Sequence, residues 1–353
     1  MKLTTNPYFN SDKTLDVPAE FPFPSTDSAT ALSVSKACLP YAETPLHDAK
    51  PLAEKAGVGK VYLKDETGRM GLGSFKALGA AYVIAHQAAA TGKSDLSDAL
   101  SGRTYVTASA GNHGLSVAFG AGQFGANSVI FLAETVPAAF ADRLREHGAA
   151  VQVEGSDYGA SMEAAAKFAD ENGFTLLSDS SWDGYYQLPH RLMEGYLAAA
   201  HEITEQMPEV PTHIFLQAGV GGLAGAMAAY FRHAWGNEPE IIVVEPDFAP
   251  ALQASVERGE CTFADGPVSN MGRLDCKEPS IIALKGLARD ANYFLTISDE
   301  LASATVKELK DFGVESTESG VAGLAAVFAG SAIEAVKLDK GSKVLCIISE
   351  GAE

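Results

Sequence analysis

Cysteine is scarce in this chain, and basic residues are outnumbered. Four cysteines, Cys38, Cys261, Cys276 and Cys346, are spread over 353 residues. None forms a CxxC pair, and no Cys/His cluster has zinc-ligand spacing, so neither a metal site nor a disulfide scaffold is expected. Lysine and arginine number 26 against 45 acidic residues, a formal charge of −19. Such a chain repels nucleic acid and anionic membranes, and it has no basic stripe to offset that repulsion. No stretch is apolar for the 18 residues or so that a membrane span needs, and the opening "MKLTTNPYFNSDKTL" lacks an apolar signal core. Internal repeats and low-complexity tracts are absent as well. These absences point to a cytoplasmic protein with reduced thiols and a small-molecule partner, with no nucleic-acid or membrane partner.

The composition is otherwise ordinary, with 46% hydrophobic and 20% charged residues. The length suggests two lobes. After about 45 residues of Pro-, Ser- and Thr-rich sequence, expected to form an irregular arm, short β-branched runs alternate with alanine-rich helical stretches. Strands are expected at 61–64, 104–109, 128–133, 150–154, 213–218, 241–245, 293–298 and 343–349. Helices are expected at 75–91, 137–147, 158–172, 190–206, 222–234, 299–311 and 320–336. "SVIFLA" and "IIVVE" are apolar on both faces, as in a buried parallel sheet. The alternation predicts an α/β fold with two open, twisted, mostly parallel sheets flanked by helices. Soft boundaries near residues 80 and 185–190 predict a small domain over 81–189 and a large domain from 1–80 plus 190–353.

Five stretches carry candidate chemistry. In "RMGLGSFKALGAA", Ser74 is a candidate N-cap and Lys76 falls in the first helical turn. The helix dipole and apolar neighbours would lower its pKa, which suits an imine-forming lysine; a solvated cation at a helix start is the alternative. In "TASAGNHGLS", a strand-to-helix turn exposes backbone N–H groups, a natural carboxylate site, to which Asn112 and His113 add donors. In "QAGVGGLAGA", Gly219, Gly221 and Gly222 leave room for a phosphate against bare N–H groups, although small-residue helix packing would read the same. Asp179, in "SDSSWDGYYQLPH", is an acid beside aromatics. Ser349, in "CIISEGAE", ends an apolar strand, where ligands of open α/β sheets gather.

Taken together, these stretches resemble the fold-type II pyridoxal-phosphate enzymes, the tryptophan-synthase-β and threonine-dehydratase group. The order is lysine, Asn-Gly loop, glycine loop and C-terminal serine, and the resemblance covers nearly all of the chain after residue 40. Within the group the chain is most similar to the diaminopropionate ammonia-lyases, through "TPLHDAKPLAEKAGVGKVYLKDET", "GNHG", "SDSSWDGY", "QAGVGGLAG", "VEPDFA", "GRLDCKEPS" and "ESTESGVAGLAA". The resemblance implies that Lys76 holds pyridoxal 5'-phosphate covalently. Gly219, Val220, Gly221, Gly222 and Leu223 would bind its phosphate, Asn112 its ring hydroxyl and Ser349 its pyridine nitrogen. Ser109, Ala110, Gly111, Asn112 and His113 would receive the substrate carboxylate. Asp179 matches a carboxylate that these lyases use near the substrate's amino groups, as base toward the L-isomer. A homodimer is implied too. The chain departs from the pattern at Ala110, where the ammonia-lyases carry an aspartate used for the D-isomer.

The activity so implied is elimination of ammonia from 2,3-diaminopropionate, the L-isomer favoured, giving pyruvate and ammonia. A threonine, serine or 3-hydroxyaspartate dehydratase on the same scaffold remains open, as does a cofactor-binding regulatory protein without turnover.

Overall fold

The computed structural model describes residues 1–330 and 333–352. Eleven strands occur among them: β1 Lys2–Thr5, β2 Leu46–Asp48, β3 Lys60–Asp65, β4 Thr104–Ala108, β5 Asn127–Leu132, β6 Ala150–Val153, β7 Thr175–Leu176, β8 His213–Gln217, β9 Glu240–Pro246, β10 Tyr293–Ile297 and β11 Lys343–Ile348. They form two sheets. The larger runs β1-β10-β9-β8-β11-β3-β2, parallel at its centre, with the antiparallel strands β1 and β2 on its edges. The smaller runs β6-β5-β4-β7 and is parallel throughout.

The central strands read as expected for sheets covered on both faces. All five residues of β8 and of β4 are buried, so each strand offers side chains to helices on either side. The helix Ala80–Ala89 is buried over its first six residues, with Tyr82, Val83 and Ile84 fully enclosed. It packs against the helices Ser28–Cys38, Asn112–Gln123 and Gln187–Gly195, and only its last turn, with His86, Gln87 and Ala89, reaches solvent. Burying Val83 and Ile84 contributes about 1.5–3 kcal/mol each.

Several local expectations need correction. The first 45 residues are not an irregular arm. Lys2–Thr5 pairs with β10, and Ser28–Cys38 is a helix whose N-cap Asp27 accepts from the Thr30 N–H at 3.1 Å. Residues 75–91 are not one helix: a tight 3-10 turn, Phe75–Leu78, precedes Ala80–Ala89. Ser74 is extended and makes no capping hydrogen bond among the described residues, so Lys76 lies outside the α-helix. The helix expected at 190–206 is two, Gln187–Gly195 and Leu197–Gln206, joined at Tyr196. The helix expected at 320–336 covers Ala322–Phe328; residues 331–332 of that expectation, and residue 353 of the expected large domain, lie outside the described residues. Helices at Lys50–Ala56, Ala251–Arg258 and Ile281–Asp290 carried no expectation.

The sheet order places the candidate residues. β3, β11 and β8 are neighbours, and the Lys76 turn, Ser349 and the Gly219 loop follow their carboxyl ends. The 109–113 loop follows the carboxyl end of β4 in the other sheet. Ligands of open α/β sheets bind at such ends.

Candidate functional site

The turn bearing Lys76 is stitched to the chain beyond β11. The Phe75 N–H donates to the Ser349 carbonyl at 3.0 Å, and the Gly351 N–H donates to the Gly73 carbonyl at 2.9 Å. Ser349 is thus held beside the lysine, as the order of motifs suggested. Below the turn, Gly195 lets the helix Gln187–Gly195 approach closely: a Cβ there would stand 2.0 Å from the Leu78 carbonyl oxygen.

Lys76 forms an ion pair with Asp179, and both side chains are mostly buried. The pair answers the first electrostatic expectation with a correction. Burial does oppose the charge on Lys76, but the Asp179 carboxylate outweighs it and holds the ammonium above its ordinary pKa. Lys76 is also not in the first turn of the α-helix that follows it, which starts four residues later. Asp179 in turn, against burial that would raise it, is held below the carboxylate range by Lys76 and then His113.

His113 is buried, and its Nε2 lies 2.8 Å from the Leu177 carbonyl oxygen. A carbonyl only accepts, so Nε2 carries the proton and Nδ1 presents a lone pair. Burial lowers its pKa, with Asp179 pulling the other way. The neighbouring loop is shaped by Ser109, whose Oγ accepts from the N–H groups of Gly111 and Gly114 at 3.2 and 3.1 Å. Asn112 and His113 therefore do not cap their helix; Ser109 does that work from outside it. Ala110 is half-buried in the same loop and brings no carboxylate.

The glycine loop starts the helix Gly222–Trp235. Gly221 has φ +94°, a backbone state that L side chains rarely adopt, and no side chain caps the helix among the described residues. Its first N–H groups are left for a ligand, and the dipole there favours an anion. A Cβ on Gly219 would stand 2.9 Å from the Cys276 Sγ, so the cradle has no room for a larger residue. Burial and then Asp179 push the Cys276 thiol up to about 12.

Two residues that sequence reasoning missed join the loops. The Asn112 amide donates to Glu350 Oε2 at 2.5 Å, and Thr317 Oγ1 donates to the same carboxylate. The Arg273 Nε lies 4.0 Å from Glu350 Oε2, and its side chain packs on Gly111, where a Cβ would meet it at 3.2 Å. Glu350 could have been suspected only from its place after Ser349; Arg273 had no signal beyond "GRLDCKEPS". The third missed residue is Tyr196, at the break between two helices.

Lys76, Asp179, Asn112, His113, Gly219 and Ser349 are thus drawn into one cleft. Around this cleft, the buried atoms Ser74 Oγ, His113 Nδ1 and Tyr196 Oη make no hydrogen bond of good geometry among the described residues. Buried polar groups are normally satisfied, so these atoms fit a cleft built to hold a polar group. No group of acidic, His and Cys side chains among the described residues could hold a metal.

The pyridoxal-phosphate dependent enzyme family model matches residues 38–350. The diaminopropionate ammonia-lyase of Salmonella typhimurium is 32% identical over 345 residues, covering 88% of this chain and 85% of that protein. The L-threonine ammonia-lyase of Thermotoga maritima is 29% identical over 87% of this chain and 71% of its own. Among solved structures, the Escherichia coli diaminopropionate ammonia-lyase in complex with an aminoacrylate-PLP azomethine reaction intermediate superposes with a TM-score of 0.87. It is 30% identical, and the match covers 99% of this chain and 93% of that one.

Proposed function

This chain belongs to the pyridoxal-phosphate dependent enzymes, and from that premise we propose that it is a lyase eliminating ammonia from 2,3-diaminopropionate, the L-isomer favoured. The products are pyruvate and ammonia. The observation that carries the reading is the Lys76–Asp179 ion pair, set beside a capless glycine-loop helix and an Asn-His loop.

The cleft fits pyridoxal 5'-phosphate. Lys76 would supply the amine that holds it, the N–H groups from Gly219 to Leu223 would bind its phosphate, Asn112 its ring hydroxyl and Ser349 its ring nitrogen. Bound there, the cofactor supplies an electron sink for the charge left when the α-proton departs. A neutral serine at the ring nitrogen keeps that sink weaker than an aspartate would, which favours prompt loss of the β-group. The backbone N–H groups and side chains from Ser109 to His113 hold the substrate carboxylate. Asp179 attracts the cationic side chain of a diamino acid and takes up a proton, and Lys76, once free, carries protons at Nζ. A neutral β-hydroxyl gains less from a carboxylate, so Asp179 favours the diamine over serine. Ala110 supports the second reading, a threonine, serine or 3-hydroxyaspartate dehydratase, because it leaves one side of the site without a carboxylate.

A panel of both diaminopropionate enantiomers, L-serine and L-threonine, with product identification, tests the choice. Turnover of serine with none of diaminopropionate refutes the first reading. Lys76→Ala should abolish the visible absorbance of bound cofactor, and an unchanged spectrum overturns the assignment of Lys76. No turnover of any substrate by the parent protein, with its cofactor binding intact, would favour a regulatory role.

The domain division 1–80 plus 190–353 against 81–189 is part of the same reading, supported by the two sheets drawing their strands from those segments. We also place the protein in the cytoplasm, supported by four unpaired cysteines, and expect a homodimer, which light scattering at micromolar concentration tests. No helix among the described residues is long and apolar enough to cross a membrane.

A further inference from the structure

Tyr196 has no role in the reading above, yet it lies in the floor of the cleft. It falls at the junction of the helices Gln187–Gly195 and Leu197–Gln206, where its N–H bonds back to the Met193 carbonyl at 3.1 Å. That tightened turn interrupts the helical sequence pattern at this one residue. The side chain is 1% exposed and wedged between the two segments that define the site. On one side, a Cβ at Gly79 would stand 2.9 Å from Tyr196 Oη and 3.0 Å from Cε1. On the other, a Cβ at Gly222, in the first turn after the glycine loop, would stand 3.7 Å from Cε2. Phe75, next to Lys76, meets the ring edge-on with centroids 5.0 Å apart.

A ring so enclosed should have its hydroxyl satisfied, since an unpaired buried hydroxyl costs free energy. No hydrogen bond of good geometry reaches Tyr196 Oη among the described residues, yet the Lys76 ammonium acts on the phenol both as a charge and as a hydrogen-bond donor, and Lys76 Nζ lies 5.4 Å from the centroid of the same Phe75 ring. Lys76 is the charge that bears on it most strongly. Burial pushes the phenol up to about 12, with the ammonium pulling against that. The groups facing Lys76 are Asp179, which bonds it, together with Tyr196, Cys276, His113 and Tyr158. Cys276 and Tyr196 are both held protonated, so Tyr196 acts on the lysine as a neutral oxygen.

We propose that Tyr196 is a positioning residue for Lys76: its hydroxyl oxygen accepts from the ammonium and, with Asp179, holds Nζ in place whenever the lysine is free of the cofactor. A lysine on a flexible four-carbon stem needs such a hold to return to one spot after each turnover. The consequence for the cycle rests on Lys76 being the cofactor lysine; the contact itself does not.

The test uses the full chain stripped of cofactor, as wild type and as Tyr196→Phe, which removes one oxygen and keeps the ring. Both are labelled with trace acetic anhydride at pH 8, and acetylation of Lys76 is read by mass spectrometry relative to exposed Lys13. An acceptor that favours the charged lysine keeps it unreactive. Its loss should lower the lysine pKa by about one unit and raise relative acetylation about tenfold. A ratio unchanged within twofold overturns the proposal, whether the melting temperature holds or falls; a fall would leave Tyr196 a packing residue. Lys76→Ala read in parallel separates the two claims. If that variant keeps the bound-cofactor spectrum while Tyr196→Phe shows the rise, the cofactor assignment fails and the Tyr196–Lys76 contact stands.

Discussion

A second set of charges, buried away from the cleft, should control how well the Lys76 segment is held. Lys64, Glu66, Arg69 and Glu202 are each no more than 1% exposed in their side chains or as residues. The Arg69 guanidinium bonds Glu66 at 2.7 and 2.8 Å, Glu202 twice at 2.8 Å, the Ala42 carbonyl at 2.8 Å and Thr44 Oγ1 at 2.9 Å. Lys64 Nζ donates to Glu202 at 2.5 Å and to the Thr44 carbonyl at 2.7 Å. Two cations and two anions thus cancel, and they tie three parts of the chain together: the segment 41–44, the helix Leu197–Gln206 and the start of the Lys76 segment. Met70, next to Arg69, has φ +49°, a strained state for a non-glycine residue that these bonds help to hold.

Glu202→Gln removes one anion and leaves two buried cations with one partner. Breaking a buried pair this way costs about 3–5 kcal/mol. The low end applies, about 3 kcal/mol, because Lys64 can relax: burial already pulls its ammonium below the ordinary value, so it can shed its proton, whereas Arg69 cannot. The pH dependence has a fixed sign. Burial would raise Glu202, but Arg69 and Lys64 hold its carboxyl down to about 2, against 4.5 when unfolded. The stabilisation is therefore complete above about 4.5 and is lost as pH falls toward 2. Urea unfolding of wild type and variant at pH 7 and pH 3.5 is the assay. The gap should be about 3 kcal/mol at neutral pH and smaller in acid. A gap below about 1 kcal/mol at pH 7, or one that widens in acid, would refute the reasoning.

Asp179→Asn should lower kcat for diaminopropionate by about 10²–10⁴, as loss of an acid–base group does, and should lower it less for serine; equal losses would remove Asp179 from substrate selection. In the cofactor-free chain the ion pair it breaks stabilises the fold in full between about pH 3.8 and 10.5, since the acid's pKa is depressed and the lysine's is raised. The variant's deficit should vanish only outside that window. Gly221→Ala forces φ +94° on a residue with a Cβ that would stand 3.1 Å from the Ala283 Cβ and Leu252 Cδ1. Its cofactor Kd, measured by absorbance titration, should rise at least about tenfold, as a misplaced phosphate cradle costs more than 1.4 kcal/mol; an unchanged Kd would argue that the loop holds no phosphate.

The glycine loops and central strands were legible because their signals are local. β8 reads as a strand from five residues, and Gly219 to Gly222 read as an anion cradle from the strand before and the helix after. The electrostatics of Lys76 were misread for the opposite reason. Its sequence neighbours are apolar and suggest a lowered pKa, but the partner that decides the matter, Asp179, is 103 residues away. The same holds for the buried charges. "VYLKDETGRM" alternates like a strand leading into a turn, and nothing in it requires that Lys64 and Arg69 point inward; only Glu202, 138 and 133 residues on, makes their burial affordable. Tyr196 was hidden by its own context, since "EGYLAAAH" continues a helical pattern and a break of one residue leaves no compositional mark. An uncapped, glycine-led helix start is therefore written in contiguous residues, while the groups that set the charge of Lys76 come from pairings that only the fold creates.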